Sequence, residues 1–430
     1  MLNASRLKLK SIFSRRLSKE ILLYSTASFI ALVVPFALLP ILTRVFSQAD
    51  FGYFGIFQSI VNIVGKLVAF GTCAALIRSY ALIEKSDRST YFASCLFVVS
   101  ITATVVIFLF SVLAVKDFAW LPFDSNWLLC AAAAGIFCAI WNLSLSHMQG
   151  LRQAAKYANW QVVSALVSFL VTLVLVFGFD LTWKGRAVAV LLSFLAPSLV
   201  LLVSFFKKGF ASYSISKSFV REASIIGIAA MPHALSAVVM SFTDRFLILN
   251  MVGAEEAGLY TVAYQVSSVF LVVGVAIGRG WSPWVYEQLK PGGNAIAKNK
   301  LMNYCLVLIG FLVFSGVIFL IVANALLPAL LGEEFEESRK FTTILIASCV
   351  TSTLYIILAP PIFFYKKLAF LGVAGVVLLI ANVILTYVLI LDLGSVGAAY
   401  ATLASKAGLL LFTLFFSVFL VRREINSSRC

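Results

Sequence analysis

The chain carries a second copy of itself at a nearly fixed offset. Phe179-Asp180-Leu181, followed by Gly185, Ala187, Ala189, Leu191 and Ser193, recurs 212 residues later as Leu391-Asp392-Leu393, Gly397, Ala399, Ala401, Leu403 and Ser405. An earlier pair matches at an offset of 206: Ser47-Gln48-Ala49-Asp50-Phe51-Gly52-Tyr53 lines up with Gly253-Ala254-Glu255-Glu256-Ala257-Gly258-Leu259. One six-residue indel between the segments accounts for the difference. Two copies of one unit require a fold made of two related halves, with any central path lying between them.

The units are strongly apolar. Of 430 residues, 62% are hydrophobic and 12% charged, more apolar surface than a soluble chain of this length could bury behind a polar exterior. Ten runs of at least 20 residues carry no Asp, Glu, Lys or Arg: 21–43, 89–115, 125–151, 157–179, 187–206, 223–243, 257–278, 301–332, 341–365 and 368–391. Each is long enough to cross a hydrocarbon core of about 30 Å as a helix. Two further runs, 51–77 and 393–421, are interrupted by single lysines, Lys66 and Lys406.

The predicted fold is therefore an all-α integral membrane protein with twelve transmembrane helices in two pseudo-symmetric six-helix lobes. Residues 1–20 form a basic tail, 21–206 the N-terminal lobe, 207–222 a basic connector, 223–421 the C-terminal lobe and 422–430 a C-terminal tail. The first span is too long for the apolar core of a cleaved signal, and no A-x-A-like site follows it. With loops this short, no segment outside the membrane is large enough to fold as a catalytic domain.

The formal charge of +15 is best read by position. If the N-terminus is inside and the spans alternate, inside segments hold 24 Lys and Arg and outside segments 7. That bias places both termini in the cytoplasm. Basic residues spread over many loops also exclude a nucleic-acid surface. The seven cysteines show neither C-x-x-C nor metal-ligand spacing, so they read as small apolar fillers. There is no phosphate-binding Gly-rich loop, metalloprotease helix motif or nucleophile elbow, so neither ATP-driven transport nor an enzyme is expected.

Any chemistry must then come from polar groups inside the spans. Their charges are Lys66 and Lys406, with no acid; Asp244 and Arg245 stand at the expected outer end of span seven, about 100° apart on a helix and poorly placed to pair. A mid-membrane lysine costs roughly 2.5–3.5 kcal/mol on insertion scales, so it needs a partner or a wet cavity. Gln58, Asn62 and Lys66 follow at i, i+4 and i+8, which is one face of span two. Asn142, Ser146 and Gln149 form a similar stripe on span four, and Gln161, Ser164, Ser168 and Thr172 on span five. Ser and Thr stripes alone read as glue between helices.

Arg78 ends span two, about 18 Å beyond Lys66 and rotated from it by about 120°. Arg44 ends span one, and each of these arginines reads equally as an interface anchor or a substrate contact. His233 follows Pro232 inside span seven. Pro35, Pro40 and Pro232 lie in the first span of each repeat, where proline can act as a static kink or as the bending point of a gate. A lumen with positive charge and no carboxylate suits an anion, with phosphate or diphosphate the natural match. A cationic drug would call for an acid in the lumen. The expected substrate contacts are Lys66, Arg78, Arg44, Asn62, Gln58, Arg245, Lys406 and His233.

Several of these residues sit in segments that resemble a known family. Leu42-Thr43-Arg44-Val45-Phe46-Ser47, then Asp50-Phe51-Gly52-Tyr53, is similar to the start of bacterial polysaccharide-biosynthesis flippases of the Wzx, or O-antigen translocase, type. So are Gly71 to Arg78, Asp244-Arg245-Phe246, Gly253, Ala257-Gly258-Leu259-Tyr260 and Trp281-Ser282-Pro283. The resemblance runs the length of the chain in order and spacing. It brings Gly52, Asp244 and Gly258 into the gating and structural set beside the prolines.

The resemblance implies a V-shaped, MATE-like pair of lobes and alternating access. It implies an undecaprenyl-diphosphate-linked oligosaccharide as substrate, moved from the cytoplasmic to the outer leaflet of the bacterial inner membrane for O-antigen or another surface polysaccharide. Lipid II flippases and MATE-type multidrug antiporters belong to the same wider superfamily and remain as alternatives. The former usually have two more spans, and the latter often rely on membrane carboxylates. The expected partners are the lipid-linked substrate, membrane lipids and a polysaccharide polymerase. No cofactor is expected, a monomer is, and coupling to an H+ or Na+ gradient stays open.

Overall fold

A chain in hydrocarbon must satisfy every backbone group internally, and the long apolar runs do so as helices. The computed structural model describes residues 36–80, 82–115, 123–289, 295–365 and 367–427, and among these there is no strand. Helix α1 is described over 36–42. It is followed by α2 (Gln48–Ala69), α3 (Thr72–Ser79), α4 (Arg88–Val115), α5 (Ser125–Gly150), α6 (Ala154–Leu173, extended by a π-helical turn Val174–Gly178) and α7 (Trp183–Lys207). The second half holds α8 (Lys217–Met251), α9 (Ala254–Gln288), α10 (Ala295–Leu330), a 3-10 turn Glu333–Ser338, α11 (Arg339–Leu358), α12 (Pro360–Phe364), α13 (Leu368–Leu393) and α14 (Val396–Ser427). Among the described residues, eleven helices are long and apolar enough to cross a membrane. Most of the first expected span, 21–43, lies outside the described residues, as does Pro35.

The α1–α2 turn is fixed by a capping box. Ser47 Oγ accepts from the Asp50 backbone N–H, while the Asp50 carboxylate accepts from the Ser47 backbone N–H, each at 3.1 Å. The other Asp50 oxygen accepts from Thr182 Oγ1 at 3.0 Å, which ties this turn to the start of α7. From here α2 descends as the central helix. It packs on α5 in its own half and on α8 and α9 in the other.

Close packing at the start of α2 depends on glycine. A Cβ on Gly52 would collide with the Ala254 carbonyl, and one on Gly258 with the Gln48 carbonyl. Gln48 and Ala254, like Gly52 and Gly258, are related by the 206-residue offset. The seam is thus a self-complementary contact of the two repeats across their pseudo-two-fold axis. Phe335 of the 3-10 turn, fully buried, extends it edge-on against Phe51 at 5.1 Å between ring centroids.

Span two is not one continuous helix. It breaks between α2 and α3 at Phe70 (φ 45°) and Gly71 (φ 67°), both left-handed. The break persists because its freed carbonyls find partners: Thr72 Oγ1 donates to Ala69 O at 2.6 Å and Thr102 Oγ1 to Val68 O at 2.7 Å. Gly227 of α8 seats against it so closely that a Cβ there would strike the Phe70 carbonyl. By contrast α8 is continuous through Pro232. Within the expected connector 207–222, residues 217–222 form the start of α8.

Candidate anion-binding cavity

A cavity of about 590 Å³ lies between the two halves. One wall is the face of α2 that the i, i+4, i+8 spacing picked out: Gln58, Asn62 and Lys66 all line it. Gln58 Nε2 donates to Asn62 Oδ1 at 3.4 Å along that face. The Lys66 ammonium has no hydrogen-bonding or ionic partner among the described residues. The α6 stripe forms a second wall through Gln161, Ser164 and Ser168. From the other half come Ser241 and Arg245 of α8 and Thr261, Tyr264 and Gln265 of α9. Trp141, Phe54 and Phe194 add aromatic faces.

Three cations line this cavity and no carboxylate does. Arg245 is 8% exposed. Its Nη1 donates to Ser241 O at 2.9 Å and Ser241 Oγ at 2.6 Å, its Nε to Thr261 Oγ1 at 3.3 Å, and its guanidinium lies 4.6 Å from the Tyr264 ring centroid. Nη1 also reaches Ser59 Oγ of α2 at 3.4 Å, so this arginine spans the two halves. Its neighbour Asp244 turns away, as the helical spacing of adjacent residues requires. Asp244 is buried among C-terminal helices and accepts from Tyr260 Oη at 3.0 Å, from Thr386 Oγ1 at 3.3 Å and from Thr402 Oγ1. This corrects the sequence census, which put the pair at the outer end of span seven and no acid within the spans. A run that ends at its first charge stops too soon, because α8 continues to Met251.

The third cation, Arg186, is not among the contacts expected from the sequence. It stands in the first turn of α7, 6% exposed, with Nη1 donating at 2.8 Å to both Ser168 Oγ and Thr172 Oγ1 and the guanidinium 5.6 Å from the Phe54 ring centroid. The polar stripe on α6, read as glue, is its hydrogen-bonding partner. One signal was present in the sequence. At the 212 offset Arg186 faces Ala398, a charge where the other copy has a small apolar residue, between the matched pairs Gly185/Gly397 and Ala187/Ala399.

Other expected contacts lie elsewhere. Lys406 donates to Ser348 Oγ at 3.3 Å and sits 5.7 Å from the Tyr264 ring centroid, so Tyr264 stands between it and the cavity. Arg78 is exposed at the end of α3. Arg44 is exposed beyond the seam, where its Nη2 donates to Ala329 O at 3.1 Å and its Nη1 to Leu330 O at 3.5 Å. It caps the C-terminal end of α10, a favourable place for a cation. Pro40 lies on α1, with its carbonyl accepting from Thr43 Oγ1 and Arg44 Nη1. The His233 side chain lies outside the described residues.

Comparison with known proteins agrees with this architecture. The chain is 24% identical over 357 residues to the Lsg locus putative protein 1 of Haemophilus influenzae, covering 81% of this chain and 85% of that one. It is 21% identical over 384 residues to the probable flippase AglR of Haloferax volcanii, covering 84% and 75%. Its fold matches an inward-facing multidrug resistance MATE transporter of the MOP superfamily with a TM-score of 0.67 at 15% identity, over 96% of this chain and 99% of that one. Residues 17–287 match the family model described as polysaccharide biosynthesis protein, and the chain belongs to that family.

Proposed function

We propose that the protein is a flippase. It carries an oligosaccharide linked to a polyprenyl carrier through diphosphate, of the undecaprenyl type, from the cytoplasmic to the outer leaflet of a bacterial inner membrane. The observation that carries the reading is the cavity between the lobes, lined by Lys66, Arg186 and Arg245 and by no acid. Such a lining attracts a phosphate-type anion and penalises a cation. The amides of Gln58, Asn62, Gln161 and Gln265, with the aromatic faces of Trp141 and Phe54, offer the mixed polar and apolar surface that a saccharide needs. The family supports a role in polysaccharide biosynthesis, and the similarity to AglR supports flipping.

In this reading the termini are cytoplasmic, and the Gly52–Gly258 seam faces the outside. The headgroup enters near Lys66 while the seam is shut. Rocking of the two lobes then opens the seam and closes the opposite end, with the lipid tail remaining in the bilayer. The polymer built from the product is O-antigen or another surface polysaccharide.

The fold similarity also admits a multidrug antiporter, but nothing in the cavity lining would neutralise a cationic drug. A deletion strain tests the choice. Build-up of cytoplasm-facing undecaprenyl-diphosphate oligosaccharide with loss of surface polysaccharide, both reversed by complementation, is expected. Unchanged lipid-linked intermediates with altered sensitivity to cationic drugs would overturn the flippase reading and put the antiporter first.

A further inference from the structure

Arg186 is a buried cation with no acidic partner among the described residues. Its hydrogen bonds go to two hydroxyls, Ser168 Oγ and Thr172 Oγ1, and both engage Nη1. Thr172 Oγ1 in turn donates to Ser168 O, so this pair is oriented to accept from the guanidinium. Nε and Nη2 have no protein partner among the described residues, and the side chain lines the cavity. The first turn of α7 adds to the cost, because a helix N-terminus already carries positive potential and disfavours a cation. A charge kept in that place favours a counter-ion, and the cavity it lines is open to one.

The three cations are also staggered along α2. Arg186 lies over Phe54, Arg245 reaches Ser59, and Lys66 is on α2 itself. At 1.5 Å per residue these levels are about 7.5 Å and then about 10 Å apart. Arg186 and Arg245 stand toward the sealed Gly52–Gly258 end, and Lys66 toward the opposite end. They are also built differently. The two arginines are 6% and 8% exposed and held by hydroxyls, whereas Lys66 is exposed and has no partner among the described residues.

We infer that the cavity holds two anion positions, an entry position at Lys66 and a terminal position at Arg186, with Arg245 bordering the latter from the other lobe. The ligand class is a phosphate-type dianion, which the free Nε–Nη2 edge of Arg186 can grip through two parallel N–H···O bonds. The inference rests on the flippase reading only for the identity of the headgroup. Lys66 captures by charge alone. Arg186 retains by geometry, at the end from which the headgroup leaves once the seam opens.

The test uses the purified full-length protein and inorganic pyrophosphate as probe, followed by titration calorimetry and by the shift in melting temperature. R186Q is expected to lose about tenfold or more in affinity, the worth of one charge-assisted contact. R186K should recover only part of it, because an ammonium cannot bind bidentately. K66Q should change affinity less than R186Q but slow capture of the probe in stopped-flow binding. R186Q with wild-type affinity, or K66Q losing as much as R186Q, would overturn the inference while leaving the flippase reading intact. A wild-type protein with no pyrophosphate affinity would overturn both. If R186Q fails to fold, the comparison is made between R186K and the wild type, and equal affinity in that pair overturns the bidentate grip.

Discussion

Gly52 and Gly258 occupy equivalent places in the two repeats, and each presses its bare Cα face against the backbone carbonyl of the residue four before its partner. Gly52 meets the Ala254 oxygen and Gly258 the Gln48 oxygen. One sequence unit thus supplies both halves of its own seal. The geometry closes because the same short segment, Ser47 to Tyr53 and Gly253 to Leu259, is read twice across an approximate two-fold axis.

A methyl group at either glycine should hold the seam apart. Gly258→Ala places a Cβ against carbonyl oxygen, not against a side chain that can move. Overpacking of this kind costs about 1–3 kcal/mol, charged against the sealed arrangement alone. Labelling of Gln48→Cys by a membrane-impermeant maleimide should therefore rise severalfold in the Gly258→Ala background. Unchanged labelling would mean that the seam does not control access from that side.

The exposed latch beside it should matter less. Arg44 joins the α10 carbonyls of Ala329 and Leu330 through an exposed side chain, so Arg44→Gln should alter melting by no more than about 1 kcal/mol. Its effect should appear as increased labelling in the same maleimide assay. A large drop in thermal stability, with labelling unchanged, would make Arg44 a folding residue and not a latch.

How much of this was readable beforehand depended on the range of the cause. The seam glycines and the Gln58–Asn62–Lys66 face are local or periodic features, and the sequence displays them directly. Asp244 and Arg245 were seen but misplaced, because the edge of a charge-free run is not the end of a helix. Arg186 was missed because its hydroxyl partners lie in another helix, 14 and 18 residues away. The break at Phe70–Gly71 was equally hidden. It depends on Gly227 and Thr102, whose approach is set by tertiary packing that no local pattern records.

The buried carboxylate predicts a stability effect that involves no cavity-lining side chain. Asp244 is 1% exposed and accepts from the hydroxyls of Tyr260, Thr386 and Thr402. Thr402→Val keeps the shape of the side chain and removes one donor, leaving the carboxylate less satisfied at a cost of about 1–3 kcal/mol. The melting temperature of the purified protein should fall. Because neither Thr402 nor Asp244 lines the cavity, pyrophosphate affinity at a temperature well below melting should stay within about twofold.

The last prediction separates charge from geometry at Lys66. This ammonium is exposed to the cavity and has no partner among the described residues, so only its sign constrains it. Lys66→Arg should support surface polysaccharide nearly as well as the wild type. Lys66→Ala should lower transport, since a hydrogen bond to a charged group contributes up to roughly 1.5–3 kcal/mol. Lys66→Glu should be the most damaging of the three, because it adds repulsion of the anion to the loss of attraction. The check is complementation of the deletion strain at matched expression, read as surface polysaccharide and as cytoplasm-facing lipid-linked intermediate. Equal activity of Lys66→Arg and Lys66→Glu would rule out an electrostatic role, and full activity of Lys66→Ala would remove Lys66 from the path.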